Sequence, residues 1–91
     1  SDPVLSWRGI PIMPEAIAGE EDADTYSYTV EAAVSEVQAF YDAEMPKIGW
    51  QSFAVGASEG GNLMLIYEKG GALTTIAATA QRDVTLVMIL Q

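Results

Sequence analysis

Residues 63–90 read as three apolar runs (63–69, LMLIYEK; 72–81; 84–90, VTLVMIL) separated only by Gly70-Gly71 and Arg82-Asp83. Two residues cannot carry a crossover, so consecutive runs must pair antiparallel. Gly-Gly is also the two-residue hairpin signal, because type I′ turns require positive φ at both central positions. The middle run is rich in threonine and alanine around Leu73 and Ile76 and makes the weakest of the three strands. This meander limits the chain to folds built on an antiparallel sheet.

Upstream, residues 50–57 form a further strand, with Phe53 and Val55 on one parity and Trp50 and Ala54 on the other. The segment Ser58-Glu59-Gly60-Gly61-Asn62 has turn chemistry. Residues 25–30 (TYSYTV) alternate, with Tyr26, Tyr28 and Val30 facing one way and hydroxyls the other, the mark of a half-buried strand. Between these strands lies the one helical pattern. Ser35-Glu36-Val37-Gln38 reads as a capping box with Ser35 as N-cap, and Val37, Phe40, Tyr41, Met45 and Ile48 then form one apolar stripe. Pro46 should tighten the last turn, and Gly49 should end it. The expected architecture is α+β in the order β-α-β-β-β-β: one helix on one face of a mostly antiparallel sheet of four to five strands.

At 91 residues the chain is a single domain. Residues 1–14 carry three of the four prolines and read as an extended, apolar segment lying across the body of residues 25–91. Residues 15–24 hold five acidic side chains and no cation, and read as a solvated loop. Their spacing does not match a calcium loop, which needs alternating oxygen ligands, a central glycine and a distal glutamate. The opening Ser1-Asp2-Pro3, without methionine, is what a segment cut from a longer protein would show.

Thirteen acidic residues against four basic ones give a formal charge of −9. Phosphate backbones are bound by displacing counterions with lysine and arginine, so nucleic acid is excluded as a partner. No apolar run approaches the ~18 residues of a membrane span, so direct membrane insertion is not expected. The chain has no histidine and no cysteine, which removes the common nucleophile–base pairs, thiol redox chemistry and imidazole- or thiolate-held metals. Remaining carboxylates (Glu31, Glu36, Glu44, Glu68) show no pairing in sequence, and Lys47 and Lys69 stand at polar ends of elements. The glycines at 56, 60 and 61 lead into a strand without a following lysine, so they do not make a phosphate cradle. The expectation is a non-enzymatic domain without cofactor or metal.

The residues Phe40-Tyr41, Met45-Pro46-Lys47 and Gly49-Trp50, read as "FY…MPK.GW", carry a resemblance. With the opening Ile10-Pro11-Ile12-Met13-Pro14 and the strand Leu65-Ile66-Tyr67-Glu68-Lys69-Gly70-Gly71, the chain resembles, over residues 10–91, a recurrent small domain of bacterial lipoproteins and secreted proteins. The resemblance implies an extracytoplasmic setting and a non-enzymatic role, and brings no catalytic residue with it.

Two functional readings follow. In the first, the domain interacts with another protein or with itself as a homo-oligomer. Both parities of residues 63–69 and 84–90 are apolar, and one helix covers only one face. The other face, assigned to Met64, Ile66, Val87 and Ile89, must then be covered by residues 1–14, by a second copy or by another partner, and the expectation is a homodimer formed through this face or the terminal strand. In the alternative, a small ligand sits between helix and sheet, lined by Tyr26, Tyr28, Tyr41 and Trp50.

Overall fold

The computed structural model describes residues 1–57 and 61–91. The turn expected over residues 58–62 therefore lies largely outside the described residues. Among the described residues the fold is α+β, with a six-stranded antiparallel sheet and a separate two-stranded one. In chain order the elements are β1 (Ser6–Trp7), β2 (Ile10–Pro11), β3 (Ala16–Asp22), β4 (Thr25–Val30), α1 (Val34–Glu44), β5 (Gln51–Ala57), β6 (Asn62–Lys69), β7 (Ala72–Ala80) and β8 (Thr85–Leu90). The main sheet runs β3-β4-β8-β7-β6-β5.

The meander β6-β7-β8 forms through its tight turns. Gly70 and Gly71 take φ of 56° and 85°, which side chains would resist. The strand before the helix closes against the last strand, with Tyr28 opposite Val87. It is not an edge, because the acidic stretch is itself a strand. The loop expected over residues 15–24 is corrected to β3, paired antiparallel with β4 from Ala16 to Asp22. Its carboxylates are tolerated because an edge strand presents one side to water, where charge also discourages pairing with other chains. This raises the strand count from the expected four or five to six.

The helix is capped at Ala33, two residues before the expected cap Ser35. Two contacts fix it there. Glu36 Oε1 accepts the Ala33 N–H at 3.0 Å, and the Thr85 hydroxyl donates to the Ala32 carbonyl. Ser35 is thus left inside the first turn. Pro46–Ile48 tighten into a 3₁₀ turn, and Gly49 ends it with φ 89°. The helix lies over β6 and β7 and buries Val37, Tyr41 and Met45, a stripe with a four-residue step. Phe40, read as part of that stripe, is only half-buried and meets Tyr41 edge-on at 4.9 Å. Ile48 is exposed.

The helix is too short to cover the β4–β8 side, and residues 1–13 do so as a strap. Trp7, Ile10, Ile12 and Met13 are all buried. A small β1–β2 hairpin turns at Arg8-Gly9, and the Ile12 N–H donates to the Leu5 carbonyl at 3.0 Å. The strap is tied by side chains as well: the Trp7 indole N–H donates to Glu21 Oε2 at 2.7 Å, and Trp7 stacks on Tyr26 with centroids 6.2 Å apart.

Candidate functional site

The face of the sheet beneath helix and strap is filled. Tyr28, Tyr41, Tyr67, Ile10, Met45, Leu65, Ile76, Val87 and Ile89 are all essentially inaccessible to solvent. The Tyr28 and Tyr41 hydroxyls lie 2.7 Å apart, and the Tyr41 hydroxyl donates to the Pro11 carbonyl at 2.8 Å. The Tyr67 hydroxyl donates to Asp42 Oδ1 at 2.7 Å. These bonds satisfy phenols that burial would otherwise penalise, and they staple strap, helix and sheet together.

Of the four residues assigned to a ligand pocket, the structure brings three near one another and leaves the fourth apart. The Tyr26 and Tyr28 rings lie 6.5 Å apart, and Tyr28 meets Tyr41. Trp50 instead follows the helix at the β5 side of the sheet, with Lys69 Nζ 5.9 Å from its ring. The tyrosines are packed against strap and helix, so they serve as core side chains with a polar tip.

Burial pushes the Tyr28 phenol up to about 12. Burial, reinforced by the neighbouring Tyr28, raises Tyr41 well above the ordinary range. Burial, and then the hydrogen bond to the Asp42 carboxylate, raises Tyr67 as well. All three are therefore neutral donors at physiological pH. Their stabilising contribution is complete below pH ~10, where tyrosine in an unfolded chain titrates, and is lost as pH rises through the folded values. Alkaline unfolding followed by circular dichroism is expected to begin above pH ~10, with phenolate absorbance rising in step with it for these three rings. Ionisation of Tyr28, Tyr41 and Tyr67 before any loss of structure would contradict this.

The other face of the sheet is the open one. By register, Gly56, Met64, Ala77, Met88 and Ser27 form one row across it, and Ala54, Ile66, Thr75, Leu90 and Thr25 form the next. Thr79, Leu86 and Thr29 make a third row. Met64 is 48% exposed and Leu73, further along β7, is 51% exposed. Two shallow depressions open on this face. One of about 360 Å³ lies around Met64 and Ala77, and one of about 250 Å³ around Ser27, Thr29 and Leu86.

The interface assigned from sequence is therefore split. Met64 and Ile66 do lie on the open face, but Val87 and Ile89 lie on the inner face and are fully buried. The residues of β8 that share the open face are Leu86, Met88 and Leu90. Alternation divides each strand into two parities, but only the register says which parities share a face. Here Leu65 stands opposite Ile76, and Ile76 opposite Ile89.

A family model described as START domain-like matches residues 12–84, most of the chain. The chain belongs to the START domain-like family. The match takes in the end of the strap, the helix and the sheet up to the turn before β8. No curated protein and no solved structure matched the chain.

This START domain-like chain has no helix, among the described residues, long and apolar enough to cross a membrane. Nor do three or more histidine, cysteine, aspartate or glutamate side chains converge among those residues. Arg8 bonds to Asp24 at 3.2 Å, and Lys47 to Glu44 at 2.9 Å.

Proposed function

We propose that this domain is a non-enzymatic association module that self-associates through its sheet. The observation that carries the reading is the coverage of that sheet. Helix and strap both pack on one side, leaving Met64 and Leu90 exposed and Ile66, Leu86 and Met88 half-buried on the opposite face, alongside the exposed β5 edge. Apolar side chains gathered on one open face of a small domain are a usual sign of a contact surface. The lack of histidine and cysteine, and tyrosines held neutral in the core, support a role without bond-making chemistry. The resemblance to lipoprotein and secreted-protein domains supports an extracytoplasmic setting.

Sedimentation velocity over a range of protein concentrations tests the reading. The mass is expected to rise reversibly from monomer towards dimer. A species of monomer mass at every concentration would overturn it.

The family match favours a second reading, a small-ligand-binding domain. The tyrosine-lined interior is filled, so a ligand would have to use another opening. One candidate is a depression of about 510 Å³ between the start of α1 and the β7–β8 turn, lined in part by Glu31, Val34, Arg82 and Thr85. One-to-one binding of an apolar fluorescent probe to the folded monomer, blocked by Val34→Trp, would favour this reading over association.

A further inference from the structure

The two edges of the sheet are protected very differently. On β3, Glu20, Glu21 and Asp22 stand in the strand, and the Gly19 N–H is already bonded to the Ser1 carbonyl at 3.0 Å. A register irregularity at Ile17 has a counterpart at Phe53 on β5, so charge and the Ser1 bond are what set the two edges apart. Charge and cover of this kind are the usual devices that stop an edge from pairing with another chain. On β5 the seven residues QSFAVGA include no charge and no proline, and every one of them is exposed. Phe53 is 66% exposed and Val55 56%, the former more than any apolar side chain on the open face. β5 pairs only with β6, so its second row of backbone N–H and C=O groups has no strand partner among the described residues.

We infer that β5 is the self-association edge, and that it pairs antiparallel with β5 of a second copy about a two-fold axis. The inference rests on the association reading above and names the surface it uses. The open face is the weaker candidate, because Ser27, Thr25, Thr29, Thr75 and Thr79 are interleaved among its apolar side chains and keep it partly wetted. The distribution of charge selects the occupant. Asp2, Glu15, Glu20, Glu21, Asp22 and Asp24 all lie on β3 or on the segments flanking and overlying it. Five interstrand spacings of about 4.8 Å put β3 roughly 24 Å from β5, well beyond the ~8 Å screening length at physiological ionic strength. Pairing β5 with β5 keeps the two acidic edges at opposite ends of the joined sheet, whereas pairing at β3 would bring them together. An uncharged strand also offers no handle to a charged peptide, but it is complementary to itself.

A two-fold axis near Ala54, beside the register irregularity at Phe53, brings Phe53 next to Val55 of the second copy, twice by symmetry. Aromatic and β-branched side chains that meet across strands are a favourable pair. A closed two-fold contact also ends assembly at two copies, whereas β3 against β5 would propagate into a filament. One strand pair is a small interface, so the dimer is expected to be weak, with a dissociation constant between about 1 µM and 1 mM.

The experiment is sedimentation velocity on the parent chain, on Phe53→Lys/Val55→Lys and on the face variant Met64→Glu/Met88→Glu, each with its urea midpoint. The β5 variant is expected to sediment as a monomer where the parent is dimeric. Its urea midpoint, compared at a concentration where both are monomeric, is expected to be unchanged because both positions are exposed. As a second readout, Ala54→Cys, the one thiol in the chain, is expected to oxidise to a covalent dimer much faster than Thr79→Cys on the open face. A β5 variant that still dimerises, or an Ala54→Cys no faster than Thr79→Cys, overturns edge pairing. If the face variant alone is then monomeric, association through the sheet survives. A parent that is monomeric throughout overturns both, and mass that grows past a dimer overturns the two-fold arrangement.

Discussion

Tyr41→Ala is expected to cost about 3–5 kcal/mol, the range for deleting a buried aromatic side chain. A domain of this size has roughly 5–14 kcal/mol in all, so the variant would stand close to unfolding. The ring is wholly buried beneath the helix, and its hydroxyl bridges Tyr28 and the Pro11 carbonyl at 2.7 and 2.8 Å. Truncation therefore leaves both a cavity and two buried polar atoms short of a partner. Tyr41→Phe separates these effects: it keeps the ring, loses the bridge, and is expected to cost about 1–3 kcal/mol. Phe40→Ala, one residue earlier, should cost only about 1 kcal/mol, because that ring is half in solvent. Urea midpoints with unchanged slopes give all three values. A larger loss for Phe40→Ala than for Tyr41→Ala would mean that the helix presents a different face to the sheet.

That pair of residues also marks where the sequence stops being informative. A stripe of five apolar residues establishes a helix and its approximate face, since helical spacing is a local property. It does not say how much of the stripe will be covered. Coverage depends on the strap, whose Ile10, Ile12 and Met13 occupy the part of the sheet that a longer helix would have taken. The β6–β7–β8 meander was legible for the same local reason, because Gly70-Gly71 and Arg82-Asp83 leave no alternative to hairpins. β3 was not legible. Its residues AIAGEED lack alternation, and what makes them a strand is the exposed edge of β4, a tertiary fact. The candidate site divides along the same line. Two apolar parities were visible in residues 63–69 and 84–90, so a second apolar face was foreseeable. Its membership was not, because Met88 and not Val87 shares a row with Met64 only through the register of the intervening β7. The unguarded β5 edge could be recognised in the uncharged run QSFAVGA only once the strand order placed it outermost.

Gly19→Ala is expected to destabilise the fold by about 1–3 kcal/mol, as overpacking does, although it adds a single methyl group to an edge strand. Gly19 lies opposite Tyr28 in the β3–β4 pair, and the added methyl would overlap the hydroxyl end of the Tyr26 ring. The ring has little freedom to move away. It stacks on Trp7, lies beside Tyr28, and its hydroxyl accepts the Val4 N–H at 3.0 Å. Displacing it therefore loosens the strap, since Trp7 depends on both Tyr26 and the Glu21 carboxylate for its seat. The expected signature is a red shift of Trp7 emission, isolated in a Trp50→Phe background, together with a lower urea midpoint. Gly56→Ala is the internal control. There the added methyl meets only Met64 Cβ at 4.0 Å, an ordinary contact, and the midpoint should move by no more than about 0.5 kcal/mol. Combining Gly19→Ala with Tyr26→Phe removes the most crowded atom and should recover part of the loss, a coupling of at least about 0.5 kcal/mol between touching residues. Strictly additive effects in that cycle would show that Gly19 is needed for β3 itself and not for the close approach of Tyr26.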